Sequence, residues 1–133
     1  MASTIYPKWK QAVWEGNCPD LTDEATNPIR LILVDEGSYT YDAAHDFLDD
    51  VPAGSRIDTS GDWTTVTGTN GILQGTCPAF TSVAGGSTVN AGILYQHTGT
   101  EETSRLIAFI DDLSYATNGA NITITVPTPF VTL

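Results

Sequence analysis

The chain has 133 residues, of which 41% are hydrophobic and only 16% charged, a size and balance suited to one domain around a single core. Sixteen acids against five bases leave a net charge of −11, which argues against nucleic acid as a partner, because that binding rests on neutralising phosphates with Lys and Arg. The longest apolar runs, such as "LIAFI", fall far short of the roughly 20 residues needed to cross a bilayer, and "MASTIYPKWK" lacks the apolar stretch of a signal peptide.

"YPKWKQAVWEG" predicts a short N-terminal helix within the segment 1–16. Tyr6, Trp9 and Val13 fall at i, i+3 and i+7, one stripe of a helix. Pro7 suits a first helical position, and Gly16 the position just past the end. The stripe and its flanking bases make Tyr6, Lys8, Trp9, Lys10 and Val13 a candidate interface, used in packing or assembly. "NCPDLTDEATNP" follows as an acidic loop.

"IRLILVD" is a strand of mostly apolar residues, which predicts an interior position in a sheet. It runs into Asp35, Glu36, Asp42, Asp46, Asp49 and Asp50, with His45 among them. Such a run is either an acid/base or metal site, or the end of a strand and the start of a short helix. Asp42 stands where an N-cap belongs, and Asp46 adds negative charge near the helix start. Phe47, Leu48 and Val51 supply an apolar side, and Pro52 a stop. A second short helix is therefore expected near Ala43 to Asp49, and these acids then need no chemistry.

Strands and turns follow. "DWTTVTG", "GILQG" and "AFTSV" are short β segments bounded by Gly, Asn and Pro. "NAGILYQHTGTEETSRLIAFID" predicts a hairpin of two strands, about Ala91 to His97 and Arg105 to Asp111. "NITITV" alternates with Ile122, Ile124 and Val126 on one face. The tail "PTPFVTL" is at most an edge segment, since its prolines exclude a central strand. The fold class expected is all-β: one sandwich domain over 1–133 with roughly seven or eight strands, a short N-terminal helix and one short internal helix. Ile93, Tyr95, Leu106, Ala108, Ile110, Ile122, Ile124 and Val126 should be buried.

Chemistry-bearing patterns are sparse. "DEGSYTYDAAHD" has oxygens but not the spacing of a calcium loop. His45, His97, Cys18 and Cys77 are scattered singly, unlike a zinc set. Ser38 follows Gly37 without a GxSxG elbow, and no Lys follows "AGGSTV" to reach a phosphate. With sixteen acids, a carboxylate pair suited to glycoside hydrolysis carries no weight as a pattern. Trp9, Trp14, Trp63 and the five tyrosines suit either a sugar-stacking platform or a small β core, and the core is the better reading. Cys18 and Cys77 read as free thiols, with a single bridge as the alternative. No catalytic, cofactor or metal residue is assigned.

Three stretches resemble a group of small tailed-bacteriophage virion proteins encoded among structural genes. They are "KWKQAVWEG" leading to "IRLILVD", then "SYTYDAAHDFLDDV", then "ILYQHTGTEETSRLIAFID". The middle stretch is similar to that group's Ser-Tyr-Thr, Asp, His-Asp-Phe pattern, and the last stretch to its Leu-Tyr, Thr-Gly-Thr, Ser, Leu-Ile, Ile-Asp hairpin. The likeness spans nearly the whole chain, loosely over 58–86. Cys18, Cys77 and His97 depart from it. The resemblance implies a virion protein made in the host cytoplasm, and capsid decoration (cement) is the role expected. Its implied partners are the major capsid protein and further copies of itself, with a trimer favoured. A tail- or fibre-associated module contacting host glycan is the alternative.

Overall fold

The computed structural model describes residues 2–69, 72–111, 113–124 and 131–132. Its main sheet has five antiparallel strands. These are β1 (Ala2–Ile5), β2 (Ile29–Val34), β3 (Arg56–Thr59), β7 (Ala91–Gln96) and β8 (Leu106–Asp111), ordered β1-β8-β7-β2-β3. A second sheet, β10-β5-β4, joins β4 (Thr64–Thr69), β5 (Ile72–Thr76) and β10 (Val131–Thr132). Strands β6 (Thr88–Val89) and β9 (Tyr115–Ala116) form a two-stranded ribbon. Helix α1 (Pro7–Trp14) is the one α-helix among the described residues. The fold is mainly β and sandwich-like, as the sequence predicts.

The three inner strands of the main sheet, β8, β7 and β2, are the three apolar runs. Ile32, Ile93 and Phe109 lie side by side across them, and Leu31, Leu94 and Ala108 form the neighbouring row, which faces the opposite way. Both rows are buried. Ile93, Tyr95, Leu106, Ala108, Ile110, Ile122 and Ile124 are buried as expected, while Val126 lies outside the described residues. Period-2 spacing accounts for only half of this burial. Leu94, Ile107 and Phe109 are buried as well, because the sheet is covered on both sides. On the Phe109 side the cover is the segment after β2: the Tyr39 and Tyr41 rings lie 6.1 and 5.5 Å from the Phe109 ring.

Three expectations need correction. The segment 1–16 is helical only from Pro7 to Trp14; ahead of it β1 pairs with β8, Ala2 opposite Asp111 and Ile5 opposite Ala108. The helix near Ala43 to Asp49 does not form. Asp42 caps a single turn, its Oδ1 accepting from Ala44 N–H at 2.8 Å, and the chain then extends so that Phe47 bridges Arg105. A 3-10 turn at Leu48–Asp50 is what remains. Tertiary pairing with the β8 side outweighs the modest helix propensity of this short stretch. Finally, "AFTSV" and "NITITV" contribute one bridge, Phe80 to Ile122, in place of two strands among the described residues. Val131–Thr132 does pair along the outside of β5, an edge position as predicted.

Local chemistry explains the punctuation. Pro7 opens α1, and Gly16 closes it at φ 76°, donating its N–H to Val13 O at 3.3 Å. Glu24, in the acidic loop, accepts from the N–H groups of Thr65 and Val66 at 3.2 and 2.8 Å. This pins the loop to β4 where Thr65 takes the left-handed φ of 56°. In β5, a Cβ at Gly75 would sit 2.9 Å from Trp63 Cε3 and 3.2 Å from Val66 Cγ2. Gly75→Ala is therefore expected to destabilise by about 1–3 kcal/mol through overpacking. Urea unfolding checks this, and a variant as stable as the parent would show that the Trp63 ring has room to move.

Candidate functional site

Helix α1 presents two faces of opposite character. Tyr6, Trp9 and Ala12 are buried in the chain's own core, and Val13 is half-buried. The five residues predicted as an interface therefore split: Tyr6 and Trp9 are taken up by the fold, whereas Lys8 and Lys10 are exposed. The outward face carries a tryptophan that the stripe did not include. Trp14 is 89% exposed and is the one large apolar side chain left in solvent among the described residues. It lines a shallow, largely apolar concavity of about 440 Å³ with Pro7, Lys10, Gln11 and Glu15. An apolar anchor rimmed by polar groups is the form of a protein-binding patch.

The six-carboxylate stretch forms a structural latch. The Tyr6 and Tyr39 hydroxyls are hydrogen-bonded at 2.8 Å, and the Tyr39 hydroxyl lies 2.8 Å from His45 Nδ1. With Nδ1 as acceptor, Tyr39 takes one proton and gives its own, so the chain of three is satisfied. Burial pushes the Tyr6 and Tyr39 hydroxyls above the usual tyrosine range. His45 thus hydrogen-bonds locally. Asp50 accepts from Asp46 N–H at 2.9 Å and caps the 3-10 turn. Burial, the Asp50 hydrogen bond and the Asp50 charge raise the Asp46 carboxyl. Burial pushes Asp50 up as well, but the N–H and carboxyl of Asp46 and the N–H of Phe47 outweigh it and hold Asp50 low.

The hairpin motif has the same structural character. Thr98 Oγ1 lies 2.6 Å from Thr103 Oγ1 and 3.0 Å from Ser104 Oγ, while both Thr98 and Ser104 donate to Thr100 O. The Thr-Gly-Thr and Ser positions of the motif close the β7–β8 loop upon itself. Tyr39, His45, Phe47, Thr98 and Ser104 are all motif residues, and all are used in holding the fold.

A second concave region lies where β8 ends. Glu36 and Asp111 line two adjoining hollows, of about 350 and 280 Å³. Asn90 and Leu113 wall the first; Tyr39, Thr40, Tyr41 and Phe109 wall the second. The Glu36 backbone is fixed there because its N–H donates to Asn90 Oδ1 at 2.6 Å, and Asp35 Oδ1 accepts from Gly37 N–H at 2.8 Å. Sequence reasoning missed this groove, since Glu36 and Asp111 come together only through the pairing of β2, β7 and β8.

Cys18 and Cys77 are both free thiols, half-buried. Burial raises Cys18. Burial pushes Cys77 up to about 11, against the pull of the Ser60 hydroxyl and the Trp63 indole N–H. Both thiols are therefore poor nucleophiles at neutral pH. Among the described residues no group of three His, Cys, Asp or Glu side chains is placed to hold a metal ion, and no helix is long and apolar enough to cross a membrane. No known protein family matches the chain, and no curated protein matches it.

Proposed function

We propose that this chain is a non-enzymatic bacteriophage virion protein of the capsid decoration (cement) type, which binds the assembled head and stabilises it. The observation that carries this reading is the outward side of α1 on an otherwise acidic protein, where Trp14 and Lys10 line an apolar concavity and Lys8 stands exposed on the other flank. An exposed tryptophan offers roughly 150–250 Å² to a partner, enough to anchor a contact between proteins. The three stretches that resemble small tailed-phage virion proteins support the same reading. Partners under it are the major capsid protein and further copies of the chain, a trimer being favoured, at the capsid surface.

A protein that binds only the assembled shell stabilises that state by mass action and needs no chemistry to do so. Copies that bridge several capsid subunits add up over the lattice, because a linked site opens only when several contacts fail together. Heads stripped of the protein should therefore release their genome at a lower temperature than re-decorated heads. Heat-induced release, measured on both, is the test. Equal release temperatures, or binding found only on isolated tails, would overturn decoration and favour the tail-associated, glycan-contacting alternative.

A further inference from the structure

Three of the chain's five bases are consumed by the fold. Arg30 pairs with Asp62 at 2.7 Å. Arg56 donates to the carbonyls of Leu48 and Val51 and pairs with Glu101 at 2.7 Å. Arg105 lies over the Phe47 ring, 4.8 Å from its centroid. Lys8 and Lys10 are the remaining two, and neither has an ion-pair partner among the described residues. Both are exposed on the helix that carries Trp14: Lys10 lines the concavity beside it together with Glu15, and Lys8 projects from the other flank.

The complement of that face is on the same molecule. Glu36 and Asp111 share the groove at the end of β8, and among the described residues neither carboxylate accepts a hydrogen bond or joins an ion pair. The Tyr41 hydroxyl, beside them, has no partner there either. Two unneutralised carboxylates against an aromatic wall suit a lysine, with the ammonium on the acids and the methylene stem along the ring. In a chain of net charge −11, a cation from outside relieves part of the protein's self-repulsion.

We propose that α1 of one copy docks into the Glu36–Asp111 groove of a second copy. The contact joins two different patches. Both patches flank β1, the outer strand of the main sheet: Ala2 pairs with Asp111 at one end, and Ile5 leads through Tyr6 into α1 at the other. A lysine-bearing helix at one end of a strand and an acidic groove at the other can be satisfied by a reciprocal pair, a closed ring or an open filament. The proposal rests on the reading of the α1 face as a protein-binding surface, and it names the occupant of that face.

The test is light scattering of the purified chain over a concentration series, on the parent and three charge variants. Lys8→Glu with Lys10→Glu, and Glu36→Lys with Asp111→Lys, should each raise the association midpoint by at least about tenfold. The four changes together should bring it back to within about threefold of the parent. The groove variant separates contact from general repulsion, because it makes the chain less acidic and general repulsion would then weaken. Trp14→Ala, which touches no core, should weaken association at an unchanged melting temperature. A parent that stays monomeric to about 100 µM, a groove variant that associates as well as the parent, or a four-fold variant no better than either pair would each overturn the proposal. Co-sedimentation with heads is read separately. Self-association that obeys these rules without head binding removes the shell reading and keeps this one; head binding by a strict monomer does the reverse.

Discussion

Trp9→Ala is expected to cost about 3–5 kcal/mol of folding stability, while Trp14→Ala changes it by less than about 0.5 kcal/mol. Both residues lie on one eight-residue helix, so helix propensity does not separate them. Burial does: Trp9 is 3% exposed and belongs to the main core cluster, whereas Trp14 is 89% exposed. Removing the Trp9 indole leaves a hole in the core cluster that its packed neighbours only partly fill. A domain of this size has about 5–15 kcal/mol in all, so the loss is a large share of it. Urea denaturation with both variants measures the difference. A costly Trp14→Ala would mean that its ring packs on the chain's own surface, and the α1 face would lose its role as a docking patch.

The second large effect is an alkaline transition. Burial raises the Tyr6 and Tyr39 hydroxyls, Tyr95 shares the same direction and cause, and the Cys77 thiol sits at about 11. The folded chain thus holds these protons more tightly than the unfolded one. Their contribution is intact below the free values, 9.0 for the Cys77 thiol and 10.0 for the tyrosines, and is lost as pH rises above them. Each fully shifted group removes about 1.4 kcal/mol per pH unit between its unfolded and folded values. Tyr6, the most enclosed, should carry the largest share. Tyrosinate absorbance and far-UV circular dichroism should therefore change together, in one cooperative step above pH ~10. Smooth titration of all five tyrosines on an intact fold would contradict the latch. Tyr39→Phe offers an independent check at neutral pH. It deprives Tyr6 and His45 of their partner at once and should cost about 1–3 kcal/mol, because the Tyr6 hydroxyl is left buried and unpaired.

Where a single local signal suffices, the sequence is readable. Pro7 and Gly16 bracket α1, and the apolar runs of β2, β7 and β8 mark the strands that fill the sheet's interior. Where the outcome depends on a distant partner, it is not. The four residues of β1 are too few to show a period, and their partner is Asp111 and its neighbours. The Ala43 to Asp49 stretch has a cap and an apolar side. It nevertheless loses its helix because Tyr39 holds His45 and Arg105 draws Phe47 into a bridge. The candidate surfaces divide the same way. Two lysines beside an aromatic stripe are visible as letters, yet only the direction in which α1 docks decides that Trp9 turns inward and Trp14 outward. The pairing of Glu36 with Asp111 has no local signature at all.

The pairing of β1 with β8 also bears on how the chain is made. Translation delivers β1 first among these strands, but Asp111, the partner of Ala2, follows roughly 100 residues later, which at about 5–20 residues per second is an interval of some 5–20 s. During that interval Trp9 and the other apolar residues of the N-terminal segment have no sheet to rest on. The species at risk of aggregation is thus a nascent chain whose opening strand is waiting, and slower elongation lengthens its wait.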